Sequence, residues 1–204
     1  MKLIKKISRL EVKRCFAITP YIRKYGIASV RSNKIPSRAK YLVGLNKAKR
    51  DVLKTSEAKL DRTRGLATSK KRLHAYNTLD WYIGTVSTKE VGAWKRAGGL
   101  PFDWTRGSLA RTAKLVEVGL REGSKKIRKR SKRAIPGIIA FKDIIKKDKY
   151  LLPILFKSGL GTNGRKGLPK MKADIDDGNM RAIALTISGA KTLKAYIGMP
   201  PKNS

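Results

Sequence analysis

The sequence predicts an α+β fold: basic N-terminal helices, then a small, mainly antiparallel β-sheet, then a C-terminal helix–strand unit. Three observations carry that prediction. Apolar residues recur at three- and four-residue spacing through positions 38–62. From Asp80 the pattern turns aromatic and β-branched. Between Asp177 and Ile197 a helical pattern is followed by a strand pattern. The chain has 204 residues, 41% of them hydrophobic, which is enough for a core and argues against wholesale disorder.

The first stretch, through Leu3, Ile7 and Leu10, reads as a basic amphipathic helix that docks on the body or on a partner. Its composition also suits a mitochondrial targeting segment. The Ile35-Pro36 step sets a boundary, and Ser37 is placed to cap a helix over 38–62. That helix is built on Tyr41, Leu42, Leu45, Ala48, Val52 and Leu53, carries Lys47, Lys49, Arg50 and Lys54 on its polar side, and ends at Gly65. A shorter helix is predicted from Ser69 to Tyr76.

Asp80 to Val86 reads as a strand, Val91 to Trp94 continues after a turn, and Gly98-Gly99-Leu100-Pro101 breaks the chain. Val116, Val118 and Leu120 alternate with Glu117, Gly119 and Arg121, the pattern of a half-buried strand. Ala134 to Phe141 reads as a second apolar strand, with Pro136 at an edge or strand start, and Tyr150 to Phe156 as a third. Residues 158–170 form a Gly-rich connector. Asp177 is read as the cap of a helix through Met180, Ile183, Ala184 and Ile187, stopped by Gly189 before a strand from Thr192 to Ile197. The chain thus divides into a basic helical region (1–78), a β-rich core with a basic finger (79–157) and a connector plus helix–strand unit (158–204), with one compact domain from about residue 37 on.

Composition narrows the chemistry. Forty-nine Lys and Arg stand against fourteen Asp and Glu, a formal charge of +35, and the first fifty residues hold one acid, Glu11. The excess runs through the whole chain instead of sitting in one tail, so the body of the protein is expected to face a polyanion, most often nucleic acid. The single cysteine, Cys15, excludes a disulfide framework or a Cys-built zinc site, and the single histidine, His74, excludes His-pair metal sites. No apolar run is long enough to span a bilayer.

The densest charge is Lys125, Lys126, Arg128, Lys129, Arg130, Lys132 and Arg133, seven cations in nine positions. Between two predicted strands they would form the tip of a long hairpin, a cationic finger against phosphates. Lys70, Lys71 and Arg72 are further candidates. Gly159 to Gly164 matches G-x-G-x-x-G, but Arg165-Lys166-Gly167-Leu168-Pro169 is a poor helix start. The segment is therefore read as a loop touching phosphates through Arg165 and Lys166, with no cofactor. Trp81, Tyr82, Trp94 and Trp104, in one stretch flanked by Lys95, Arg96 and Arg106, are read as sheet core, with base stacking on single strands as the functional alternative. Asp174, Asp176 and Asp177 are read as a helix-capping cluster; the alternative, metal-dependent phosphodiester cleavage, needs another acidic partner. No metal and no catalytic residue is assigned.

Gly99-Leu100-Pro101, the Val116-Glu117-Val118-Gly119-Leu120 segment, the Lys/Arg-rich turn, Ile135-Pro136-Gly137-Ile138-Ile139-Ala140 and Leu152-Pro153-Ile154 follow one another in an order that resembles the minor tail protein Z family of lambda-type phages and prophages. The resemblance covers about residues 95–157. It implies a non-enzymatic virion component acting in tail completion or at the head–tail junction, with no small-molecule substrate. The expected partners are nucleic acid and other subunits of a large assembly, in a ring for example, in the virion or host cytoplasm. The alternative expectation is an RNA-binding ribonucleoprotein subunit, such as an organellar ribosomal protein in a mitochondrion.

Overall fold

The computed structural model describes residues 1–27, 35–160 and 164–201. In chain order the elements are β1 (Lys2–Ile7), α1 (Arg9–Lys24), α2 (Arg38–Leu53), α3 (Glu57–Asp61), α4 (Lys70–Thr78), β2 (Asp80–Ser87), β3 (Val91–Gly92), α5 (Phe102–Thr105), α6 (Leu109–Arg121), α7 (Lys129–Ala140), α8 (Lys142–Lys147), β4 (Ile154–Lys157), β5 (Ala173–Asp177), α9 (Asn179–Ile187) and β6 (Thr192–Met199). The fold is α+β. Its mixed sheet has the order β1-β2-β6-β4-β5-β3, with antiparallel β1–β2, β2–β6 and β4–β5 pairs and parallel β4–β6 and β3–β5 pairs.

The last strand of the sequence, β6, lies inside the sheet and pairs with β2 from Asp80 opposite Met199 to Ser87 opposite Thr192. Alternation along the strands sends side chains to two separate cores. One takes Val86, Leu155, Ile175, Leu193, Ala195 and Ile197 under α6, α7 and α9. The other takes Trp81, Ile154, Phe156 and Tyr196 under α4. Helix α1 serves both, giving Val12, Cys15 and Phe16 to the second and Ala17, Ile18 and Ile22 to the first. Trp81, Tyr76, Phe16 and Phe156 pack with ring centroids 5.1–5.9 Å apart, and the Trp81 indole N–H donates to the Tyr76 carbonyl. Cys15 is fully buried, burial pushes its thiol pKa upward, and it donates to the Tyr150 and Leu152 carbonyls, so it is a packing residue.

Serine caps start four helices. Ser8, Ser37, Ser69 and Ser108 accept from the backbone N–H groups of Glu11, Lys40, Arg72 and Arg111. The helix predicted over 38–62 is interrupted at 54–56, ending at Leu53 and resuming from Ser56. The N-terminal helix starts only at Arg9. Lys2 to Ile7 instead form an edge strand, because the long-range ladder to β2 supplies backbone partners that local periodicity cannot reveal.

Both strands predicted around the basic run are helices. In α6 the buried residues are Leu109, Thr112, Ala113, Val116 and Gly119, a helical spacing that outweighs the two-residue alternation at 116–120. In α7 the buried Ser131, Ala134, Ile135 and Gly137 keep helical spacing despite Pro136, whose ring faces solvent. Only 154–157 of the third predicted strand is extended, since Lys149–Leu151 forms a 3₁₀ turn before Pro153. Asp177 ends β5 instead of capping α9; Gly178, at φ 83°, takes the cap position. Among the described residues, no helix is long and apolar enough to cross a membrane.

Candidate nucleic-acid interface

The hairpin finger does not exist. The basic run is the corner between α6 and α7 and the first turns of α7. It is anchored by its one apolar member, Ile127, which is buried beside Gly119. Gly119 closes the end of α6 by accepting the Ser124 N–H at 2.8 Å, and Lys132 Nζ donates to the Gly123 carbonyl at 2.9 Å. Lys125, Lys126, Arg128, Lys129 and Arg130 are exposed, and Lys132 and Arg133 are partly so. None of the seven has an acidic partner among the described residues.

Opposite the corner stands the turn at 96–101. Arg96 holds the left-handed conformation, φ 56°, and is the one non-glycine residue with positive φ among those described. Its N–H donates to Thr105 Oγ1 at 3.0 Å, and that hydroxyl donates to the Phe102 carbonyl at 2.9 Å, so a fully buried threonine maintains the strain. Gly98 and Gly99 follow at φ 60° and 78°. A Cβ on Gly99 would lie 2.3 Å from Arg128 Cδ, so the arginine stem rests directly on the turn, and Ser131 Oγ donates to the Gly98 carbonyl at 2.6 Å. The two segments are thereby fixed against each other.

Between them lies a groove of about 350 Å³ walled by Arg96, Phe102, Lys126 and Arg128. The Lys95 ammonium sits 5.0 Å from the centroid of the Phe102 ring, a cation–π contact that holds a further charge at the rim. A groove with cations on both walls is suited to a phosphodiester backbone, because each wall can donate to the same anionic oxygens. Sequence reading noted Lys95 and Arg96 only as charge flanking the aromatic stretch, did not place them opposite the basic run, and missed Phe102. The available signal was the Lys95-Arg96 pair placed directly before the Gly98-Gly99 turn.

The other predicted contacts disperse. Lys70 and Lys71 are exposed on α4, across the sheet from α6 and α7, and Lys166 is exposed near the sheet edge. Arg72 and Arg165 are buried and occupied internally, which corrects their reading as phosphate ligands. Arg72 Nε pairs with Asp176 at 3.1 Å and Nη1 donates to the Gly65 carbonyl at 2.9 Å, while the Phe16 and Trp94 rings lie 5.6 and 4.8 Å from its guanidinium carbon. Arg165 donates to the carbonyls of Ala93, Thr105, Arg106 and Pro169 and pairs with Asp174 at 3.1 Å. It ties the turn at 93–106, and so the groove, to β5. Gly161 to Asn163 of the Gly-rich motif lie outside the described residues.

The acidic cluster is likewise divided among arginines. Asp174 pairs with Arg165, Asp176 with Arg72 and the Tyr76 hydroxyl, and Asp177 with Arg181 at 2.8 Å. Burial raises the Asp174 carboxyl above its ordinary range, with Arg165 and Ser158 pulling the other way. Burial also raises the Tyr76 hydroxyl, which keeps it a donor to Asp176. Trp81 is core, Trp94 covers Arg72, and Trp104 packs against Gly119. No family model, curated protein or solved structure matches this chain.

Proposed function

We propose that this protein is a non-enzymatic, strongly basic structural component of a nucleic-acid-containing assembly that contacts the phosphate backbone through the corner between α6 and α7 and the groove beside it. The observation that carries this reading is the run of seven cations without acidic partners among the described residues, two of which, Lys126 and Arg128, line a groove with the left-handed Arg96. Its most specific form is a phage virion protein of the minor tail, tail-completion or head–tail junction type, the role that the residue order at 95–157 suggests.

Fluorescence anisotropy with labelled oligonucleotides over a salt series tests the contact. If about five phosphates are neutralised, affinity for duplex DNA falls by roughly 10²–10³ between 50 and 200 mM salt. Absence of binding at low salt, or affinity indifferent to salt, rejects direct contact. Mass spectrometry of purified particles from a producing host tests the virion role, and consistent absence from them rejects it.

A further inference from the structure

A second cavity, of about 360 Å³, touches the 96–101 turn at Gly98 and is lined by α1, α2, α7, α8 and the start of α9. Its size falls within the usual range for small-molecule sites. The floor is apolar, formed by Ile22, Ile138, Phe141, Ile145 and Leu151, with Tyr41 stacked on Phe141 at 4.1 Å. Three arginines are among its lining residues, Arg23, Arg130 and Arg181, against one acidic residue, Asp177.

Several polar groups of the lining are donors. Arg181 Nη2 is held by Asp177 at 2.8 Å, while its Nε is buried without a hydrogen-bond partner among the described residues. Asn179 accepts the Trp94 N–H on Oδ1 at 2.9 Å, which leaves its NH₂ group as a donor. Gly178 takes the cap position of helix α9 and offers no side-chain acceptor to the first N–H groups. Burial raises the Tyr41 hydroxyl to about 12, so it too stays protonated near neutral pH.

We propose that this cavity is a binding site for a small amphipathic carboxylate, its head on the arginines and the start of α9 and its hydrocarbon tail on the Ile22–Phe141 floor. A phosphodiester chain does not suit it, since an apolar floor rewards burial of hydrocarbon and leaves a second charge unsolvated. The site therefore differs in ligand class from the groove, although α7 contributes Arg130 to one and its approach contributes Arg128 to the other.

The test is isothermal titration of the full chain with decanoate below its micellar range, beside decan-1-ol and inorganic phosphate. Saturable one-to-one binding of decanoate, at least about tenfold tighter than either alternative, is expected. Arg130→Gln should weaken decanoate about tenfold and leave decanol unchanged. Ala134→Phe, or the more peripheral Ile138→Phe should the first not fold by circular dichroism, should abolish binding by filling the space. Lys126→Gln with Arg128→Gln should bind decanoate as the parent does. Equal affinity for decanol, equal affinity for phosphate, unchanged binding in a folded filled variant, or no saturable binding each overturns the proposal.

Discussion

Replacing Arg72 by alanine separates a structural arginine from a nucleic-acid contact. The Asp176 side chain is fully buried and the Arg72 side chain is 11% exposed, so removing the arginine takes a counter-charge from a carboxylate that water cannot reach. Breaking such a pair from one side costs about 3–5 kcal/mol. The Gly65 carbonyl also loses a donor, and two rings lose the guanidinium between them. With a urea m-value of about 2 kcal/mol/M, the unfolding midpoint should fall by roughly 1.5–2.5 M. Lys70→Gln and Lys71→Gln, on the exposed side of the same helix, should stay within about 0.5 kcal/mol of the parent. Combining Arg72→Met with Asp176→Asn should recover much of the loss, because both charges leave together. A midpoint for Arg72→Ala within about 0.5 M of the parent, at unchanged m, refutes this account. So does a folded Arg72→Ala protein whose only defect is weaker polyanion binding.

Arg96→Gly should relieve the left-handed strain and raise stability by up to about 1 kcal/mol, less the added freedom of the unfolded chain, while weakening oligonucleotide binding; urea midpoints and anisotropy titrations on one preparation check both. Lys126→Gln and Arg128→Gln should each make the log–log salt slope for DNA shallower by about 1, whereas Lys166→Gln should leave it unchanged; slopes measured across a salt series decide. The Lys13 ammonium, bonded to Glu57 at 2.7 Å, holds that carboxyl below its ordinary 4.5, with Arg9 adding to the effect. Its contribution is therefore present above pH 4.5 and lost as pH falls through the lower folded-state value, and urea midpoints taken near neutrality and well below pH 4.5 should converge less in the parent than in Lys13→Met when expressed relative to each protein's acid limit.

Much of the fold was legible where signals were local. Ser37 and Ser69 begin helices as their side chains require, Gly189 at φ 91° ends α9, and Asp80 to Val86 is a strand with Trp81 and Ile83 on one face. The two helices mistaken for strands around the basic run share one cause. Over five residues, Val116-Glu117-Val118-Gly119-Leu120 satisfies both a two-residue and a 3.6-residue period, and only the extension back to Ser108 and Leu109 separates them. Ala134 to Phe141 is ambiguous in the same way, and Pro136 weighted it toward a strand although the ring faces solvent in α7. For the site, the sequence located the basic run but not its counterpart, because Arg96 and Phe102 reach it only through the turn that Arg165 and Thr105 hold. Arg72 and Arg165 misled for the opposite reason: basic residues in a basic protein look alike until their acids are placed.

Placing those acids explains how so cationic a chain can be compact. Among the described residues, every Asp and Glu except Asp103, Glu117, Glu122 and Asp143 is in an ion pair. Most of these pairs join distant segments: Lys13 on α1 holds Glu57 and Asp61, Lys49 holds Asp148, Arg72 holds Asp176, Arg165 holds Asp174, and Glu90 joins the N-terminal amine to Lys172. The acids thus act mainly as internal fasteners. The unpaired acids Glu117 and Glu122 flank the basic corner, yet neither neutralises a member of it. A fold that places most of its few carboxylates on cations at the joints between elements leaves the bulk of its Lys and Arg side chains without acidic partners among the described residues, and the corner between α6 and α7 is their densest run in the sequence, where an external anion can relieve self-repulsion.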